Sequence, residues 1–287
     1  MIPATGVGEA REHPGKLLVH PKLAALFGAL EEEGLSWCVL RGERDLLAPA
    51  GDVDLLLARG EGARMRRIAE DLGFGRVPAW GYGSHVFLLS YDEDGDTWIK
   101  LDVVTELAFG PGFSLATGAE TESLARRHRV GGIPVLAGDD AFWALLLHQL
   151  LDKGGAVAAG DATRLTQLAD GAGKDGPLAR FVDSLCPPGW SAERIVGEVE
   201  RGDWASLADL APRLAANWRR QWQTDVWRRM ITNRFRRWSG KWLRLSRRRG
   251  LSVALLGPDG AGKSTLAAGI ERSFYFPVRS VYMGLYQ

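Results

Sequence analysis

Cysteine is scarce in this chain of 287 residues, which has only two, and a charge imbalance is absent, since 36 Lys and Arg stand against 35 Asp and Glu. Cys38 and Cys186 supply neither a disulfide framework nor the ligand spacing of a zinc site. Two cysteines without such a framework are typical of a protein of the reducing cytoplasm, which is where we expect this protein to be. Because the net charge is only +1, the overall charge points to no partner, and only local charge can do so.

Long apolar runs are missing as well. No segment approaches the roughly 20 apolar residues that a transmembrane helix needs, and the first residues lack the basic start and apolar stretch of a secretion signal. We therefore expect no transmembrane segment. With 46% hydrophobic and 25% charged residues, the composition excludes disordered and collagen-like classes. At about 150 residues per domain, the length predicts about two domains.

The first half of the sequence predicts a small α/β domain over residues 21–135, after a flexible tail at 1–20. A helix opens at Pro21, a residue favoured in the first turn. Four β-rich or apolar runs predict strands, and the last two flank the turn sequence EDGD, which indicates a hairpin. These runs lie at 35–40, 52–58, 85–92 and 97–104.

The next segment predicts a helical appendage over residues 136–212. Its first helix is expected to begin with an Asp cap at Asp139 and to end at Gly154. Two further helical stretches are expected at 161–185 and 191–215. The fold class is therefore α/β, an α+β core followed by helices.

Residues 257–265, GPDGAGKST, match the phosphate-loop pattern G-x-x-x-x-G-K-[ST] between a strand-like run and a helical pattern. Glycines let successive backbone N–H groups converge on phosphate oxygens, and the helix N-terminus favours negative charge there. We expect Lys263 to contact the terminal phosphates of ATP and Ser264 to bind Mg²⁺. The predicted nucleotide-binding residues of this loop are Gly257, Asp259, Gly260, Ala261, Gly262, Lys263, Ser264 and Thr265.

With its acidic third residue, the loop resembles that of thymidylate kinase and its P-loop kinase relatives, over residues 251–287 only. The resemblance implies Lys263 as a catalytic residue and places Asp259 towards the sugar of an acceptor nucleotide. Such a kinase also needs an acidic strand, an arginine lid and a sheet of about five strands. We therefore expect residues 250–287 to form only the first βαβ unit of that domain, in a truncated chain.

Three aspartates of the first domain form a second candidate site. Asp52 and Asp54 alternate along the strand-like run DVDLLLA, so both side chains point to one face. Asp102 lies within the apolar run IKLDVV, where an unpaired charge is unfavourable to bury. Carboxylates arranged in this way can share metal ions, and we expect the three to converge on divalent cations.

A strand ending in Arg41-Gly42, a ten-residue loop, the D-x-D pair and a third acid further along resemble the polymerase β type of nucleotidyltransferase, over residues 21–155. The resemblance implies that Asp52, Asp54 and Asp102 bind Mg²⁺ and act in transferring a nucleotidyl group from a nucleoside triphosphate to a hydroxyl acceptor. Asp102 would also assist deprotonation of that acceptor. Gly42 would let the backbone approach the triphosphate.

Two features of the first domain leave alternatives open. The family usually has Gly-Ser or Gly-Gly where this chain has Gly42-Glu43, which puts a carboxylate where phosphate is expected. An inactive domain that senses nucleotide or docks a partner is therefore the alternative to a transferase. Lys153 either contacts phosphate or is a solvated lysine favoured by the end of its helix.

Residues 213–249 combine many arginines with five tryptophans and a single acid, Asp225, and predict a basic helix or helix pair. We expect a connector whose tryptophans pack inward. A helix lying on an anionic membrane surface is the second interpretation, and a base-stacking nucleic-acid surface is unfavoured. The tryptophans are Trp218, Trp222, Trp227, Trp238 and Trp242.

Overall fold

The computed structural model describes residues 17–246, apart from 44, 79–80 and 174, and residues 253–281. Most of the predicted tail, residues 1–16, lies outside the described residues. The first helix is capped by His20, whose side chain accepts a hydrogen bond from the backbone N–H of Lys22.

The first half of the chain contains the predicted first helix and the four predicted strands, together with further helices and short strands. Its helices are α1 (Pro21–Glu32), α2 (Gly62–Asp71) and α3 (Glu120–Ala125). Its strands are β1 (Trp37–Arg41), β2 (Asp52–Leu57), β3 (Gly75–Val77), β4 (Val86–Asp92), β5 (Thr97–Val104), β6 (Ala108–Phe109), β7 (Leu115–Ala116), β8 (His128–Val130) and β9 (Ile133–Val135).

Seven of these strands form one sheet in the order β3-β4-β5-β2-β1-β9-β8. β2 runs parallel to β5 and β1 runs parallel to β9, whereas the other neighbouring pairs are antiparallel. The predicted hairpin is confirmed, because β4 and β5 pair from Val86 opposite Val103 to Asp92 opposite Thr97. The mixed α/β class is therefore correct for the described residues.

The helices that follow are α4 (Gly138–Leu147), which continues as a π-helical turn at His148–Asp152, α5 (Ala159–Ala169), α6 (Pro177–Leu185), α7 (Ala192–Arg201) and α8 (Trp204–Gln221). The two predicted helical stretches each divide into two helices. Between α7 and α8, Gly202 adopts a left-handed φ of 70° that ends one helix, and Asp203 caps the next by accepting from the backbone N–H of Ser206.

The predicted Asp cap of α4 is wrong. The capping position is Ala137, and Asp139 and Asp140 lie in the first turn of the helix. Arg126 binds both carboxylates, at 2.6 Å and 3.2 Å. Acidic residues there still complement the positive end of the helix dipole.

Alternating residues of the strands divide the core into two layers. Leu55 and Val103 point to the face covered by α1 and α2. Cys38 and Leu56 point to the opposite face, where they join one apolar cluster with α4 and the helices up to α8. The helical part therefore packs directly on the sheet.

The basic segment is a helix pair, because α8 ends at Gln221 and α9 spans Gln223–Ser246. Trp218 is buried and Trp222 is half-buried, as the connector interpretation predicted. That interpretation is wrong for α9, in which Trp227, Trp238 and Trp242 are 59–62% exposed.

Residues 253–281 do not form the predicted βαβ unit. The described part contains α10 (Lys263–Ser273) but no strand at 253–256 or 280–281; residues 251–252 and 282–287 lie outside it. A strand needs a hydrogen-bonded neighbour, and none of the described strands pairs with these residues. The side chain of Leu256 is accordingly 92% exposed.

Within the described part of the chain, no helix combines the length and apolarity required for a membrane crossing.

Both cysteines are free, and burial raises the pKa of Cys38 to about 12 and that of Cys186 to about 11.

Replacing Trp218 with Ala should lower the free energy of unfolding by about 3–5 kcal/mol, since this fully buried ring packs against Phe181 with centroids 4.7 Å apart. The matched control is Trp238→Ala on the exposed face of α9, which should change it by less than about 0.5 kcal/mol. Urea denaturation followed by far-UV circular dichroism measures both. Equal losses in the two variants would contradict the fold.

Candidate active site

The three predicted aspartates are brought to one region of the sheet by strand pairing. Asp54 of β2 and Asp102 of β5 are partners in the parallel register, so their backbones are about 5 Å apart and their side chains share a face. Asp52 lies two residues before Asp54 and therefore on the same face. The strand register therefore places the three aspartates on one face of two neighbouring strands.

Each of these carboxylates is held by a basic or imidazole side chain. Arg41 donates from Nε to Oδ2 of Asp54 at 2.8 Å, and Nζ of Lys100 donates to Oδ2 of Asp52 at 2.7 Å. Nδ1 of His85 lies 2.8 Å and 2.9 Å from the two oxygens of Asp102. Each of the three carboxylates therefore has a side-chain nitrogen within hydrogen-bonding distance.

A β-bulge brings Arg41 to Asp54. Up to Val39, which faces Leu55, β1 and β2 pair in regular register, and regular pairing would place Leu40 opposite Asp54. The register shifts between Val39 and Arg41, so that Arg41 faces Asp54 instead. Bulges commonly re-aim a side chain beside a functional site.

The carboxyl of Asp54 has a raised pKa. Burial raises the pKa of its carboxyl above the ordinary value, the negative charges of Asp102 and Asp52 raise it further, and Arg41 opposes both effects. Burial lowers the pKa of Lys100, but its hydrogen bonds to Asp52 and Tyr275 outweigh burial, and the pKa is raised. Three carboxylates therefore share one face of the sheet, and Arg41 and Lys100 offset part of their negative charge.

Aromatic rings surround the His85–Asp102 pair. The ring of Phe113 lies 4.1 Å from that of His85 between centroids, and Phe87 lies at 5.9 Å. Phe87 is also the strand partner of Asp102 in β4. Asp102 is only 8% exposed. Solvent therefore reaches the site mainly at Asp52, whose side chain is 37% exposed.

Helix α9 contacts two loops beside this pair, one that precedes β4 and one that carries Phe113. Asn233 donates from Nδ2 to the carbonyl of Gly112 at 2.8 Å, and Arg237 donates from Nε to that of Gly81 at 2.8 Å. Gly81 has a φ of 82°, and a Cβ there would lie 2.4 Å from the carbonyl oxygen of Asn233. Glycine is required at this close approach.

Sequence reasoning missed Arg41 and His85 as functional residues. The signal for His85 was available, because the register set by the EDGD turn places Phe87 opposite Asp102 and His85 two residues away on the same face. Arg41 depends on the bulge, which has no signature in the sequence.

Gly42 and Glu43 lie directly after β1. Gly42 has a left-handed φ of 84°, and its carbonyl accepts from the backbone N–H of Asp45 in a turn. Glu43 forms an ion pair with Arg164 of α5. The carboxylate that the sequence placed in the path of phosphate is thus engaged by an arginine.

Lys153 is exposed at the end of the π-helical turn. Among the described residues, its side chain makes no hydrogen bond or ion pair with the three aspartates. The structure does not bring it to their site.

Residues 257–262 of the phosphate loop are exposed to solvent. Gly260 and Gly262 have left-handed φ values of 81° and 80°, as such a loop requires. Lys263 begins α10 and donates from Nζ to the carbonyls of Gly257 and Pro258, each at 2.7 Å. Exposed side chains of this loop and helix start include those of Asp259, Ala261, Ser264 and Thr265.

The donor set of the first site suits Mg²⁺, which prefers carboxylate oxygens. Nevertheless, among the described residues, no group of three or more His, Cys, Asp or Glu side chains is arranged to hold a metal ion. Arg41, His85 and Lys100 engage the three carboxylates instead. The residues fit the ion by type and strand position, and a cation has to displace these partners.

Comparison of the chain with protein-family models, curated proteins and solved structures finds no significant match. Functional inference therefore rests on the geometry and on the motifs.

The pKa of Asp54 should respond in opposite directions to its two charged neighbours. Arg41→Gln should raise it further, because the arginine favours the carboxylate, whereas Asp102→Asn should lower it by removing a negative charge. Carbon-detected NMR titration of the Asp54 carboxyl measures both shifts. Shifts of the same sign would contradict the described arrangement.

Proposed function

We propose that the first domain is a Mg²⁺-dependent nucleotidyltransferase that transfers a nucleoside monophosphate to a hydroxyl acceptor. The observation that carries the proposal is the register of β2 and β5, which sets Asp54 beside Asp102 with Asp52 on the same face. The bond from the acceptor oxygen to the α-phosphorus forms as the bond to pyrophosphate breaks. The acceptor gives up its hydroxyl proton, and pyrophosphate leaves.

Each side chain has a proposed role in this site. Asp52, Asp54 and Asp102 bind Mg²⁺, which when bound neutralises charge on the phosphates. Asp102 also assists deprotonation of the acceptor, and His85 positions Asp102 through its two contacts. Gly42 is the proposed point of approach for the triphosphate, because the space beside it is open and its φ of 84° favours glycine.

A second candidate is a non-catalytic module that senses nucleotide or docks a partner. It is favoured by the engagement of all three acids with Arg41, His85 and Lys100. In that case these ion pairs are structural, and nucleotide binding does not depend on a divalent cation.

Residues 257–265 are proposed to bind the phosphates of ATP, with Lys263 and Ser264 as the main contacts, as part of a thymidylate-kinase-like phosphotransferase. Support comes from the motif and from the left-handed glycines Gly260 and Gly262. The Lys263 ammonium, which now contacts two loop carbonyls, would turn to phosphate.

Pyrophosphate release from a panel of nucleoside triphosphates tests the transferase. Asp54→Asn should reduce Mg²⁺-dependent release at least about 100-fold, because it removes a metal ligand. The matched control, Asp71→Asn at the exposed end of α2, should leave it unchanged. Hydrolysis by water provides the minimal reaction, and a set of hydroxyl compounds probes the acceptor.

Two outcomes separate the candidates. Turnover that persists in Asp54→Asn contradicts the proposed site. Nucleotide binding without Mg²⁺, together with no pyrophosphate release from any acceptor, would favour the sensing or docking module.

The phosphate loop is tested separately by calorimetric titration of Mg·ATP in the Asp54→Asn background. Lys263→Ala should weaken ATP binding at least about tenfold, because it removes a charge-assisted contact. Lys153→Ala is the control and should leave it unchanged. Equal affinities of the Lys263 variant and its parent would refute the proposed role of the loop.

A further inference from the structure

Helix α9 carries an exposed apolar stripe on the side away from the protein. Its members follow one another at intervals of four, four, three and four residues, which places them on one helix face about 22 Å long. Their side chains are 52–63% exposed. The stripe consists of Trp227, Ile231, Phe235, Trp238 and Trp242.

The opposite face of α9 is fully used by contacts with the rest of the chain. Val226 is buried in the apolar cluster of the helices. Arg229 forms an ion pair with Glu106 at 2.7 Å, and Asn233 and Arg237 bind the carbonyls of two loops. These contacts fix the rotation of the helix, so the stripe faces outward.

Cationic side chains border the stripe on both edges. On a helical projection Arg234 and Lys241 lie along one edge. Arg228, which also pairs with Asp225 at 2.8 Å, lies along the other, and all three are exposed. Asp225 is the last acidic residue before Asp259. An apolar face between basic borders is the pattern of a helix that lies in the plane of an anionic lipid surface.

Other occupants fit this pattern less well. A second copy of the chain packed on the stripe would bring two sets of basic borders together, and like charges oppose such pairing. Nucleic-acid bases stack on aromatic rings, but they leave Ile231, the aliphatic member of the stripe, unexplained. Tryptophan prefers the membrane interface, where its ring is buried and its N–H meets water.

We propose that α9 docks the protein on an anionic bilayer surface. The stripe enters the boundary between headgroups and acyl chains, and Arg228, Arg234 and Lys241 contact lipid phosphates. The interaction is independent of the proposed transferase activity.

Co-sedimentation of the full chain with lipid vesicles tests the proposal. The protein should bind vesicles of phosphatidylcholine with about one third phosphatidylglycerol at least tenfold more strongly than phosphatidylcholine alone, and rising salt should weaken this binding. The apolar variant Phe235→Ser/Trp238→Ser should weaken binding at least about tenfold. The charge variant Arg234→Glu/Lys241→Glu should remove the preference for anionic lipid.

Matched controls change exposed residues outside α9. Tyr91→Ser/Phe276→Ser removes two exposed aromatic side chains, and Arg67→Glu/Arg213→Glu reverses two exposed charges. Both should bind vesicles like the wild type. Circular dichroism confirms that every variant retains its helix content.

The proposal is overturned if the wild type does not bind anionic vesicles, or if the α9 variants and the controls bind equally. It is also overturned if the stripe variants abolish a dimer or the retention of single-stranded RNA while vesicle binding is unaffected. Those results would assign the stripe to a second copy or to nucleic acid.

Discussion

Parallel pairing of β2 with β5 is the constraint on which the candidate site depends. Side chains alternate along a strand, so a shift of one residue would send Asp54 and Asp102 to opposite faces. The register is fixed by burial, because Leu55 and Val103 on the other face belong to the core beneath α1 and α2. Apolar packing on one face therefore positions carboxylates on the other.

Helix α9 connects the site to the outer surface. Its inner face binds the carbonyls of Gly81 and Gly112, which lie in the loop before β4 and in the loop that carries Phe113. Arg229 reinforces this position through its ion pair with Glu106 at 2.7 Å. The same hydrogen bond holds the pKa of Glu106 below its ordinary value. The exposed stripe then follows from geometry, since the opposite side of a helix fixed in this way has no partner within the described chain.

Local patterns were sufficient for much of the fold. The hairpin follows from the EDGD turn and two β-rich runs, and the placement of Asp52 and Asp54 on one face follows from the period of a strand. Features that depend on distant partners were missed. Asp139 pairs with Arg126 and does not cap α4, and a β-bulge places Arg41 opposite Asp54. The prediction that Trp238 packs inward was wrong, because residue spacing alone does not show which face of a helix contacts the rest of the protein.

The most direct test of the proposed site is paramagnetic broadening by Mn²⁺, a substitute for Mg²⁺, in the presence of a non-hydrolysable nucleoside triphosphate. If the three aspartates bind the ion, the imidazole NMR signals of His85, which contacts Asp102 at 2.8 Å, should broaden strongly, and Asp54→Asn should abolish the effect. Sharp His85 signals at saturating Mn²⁺ and nucleotide would contradict the account.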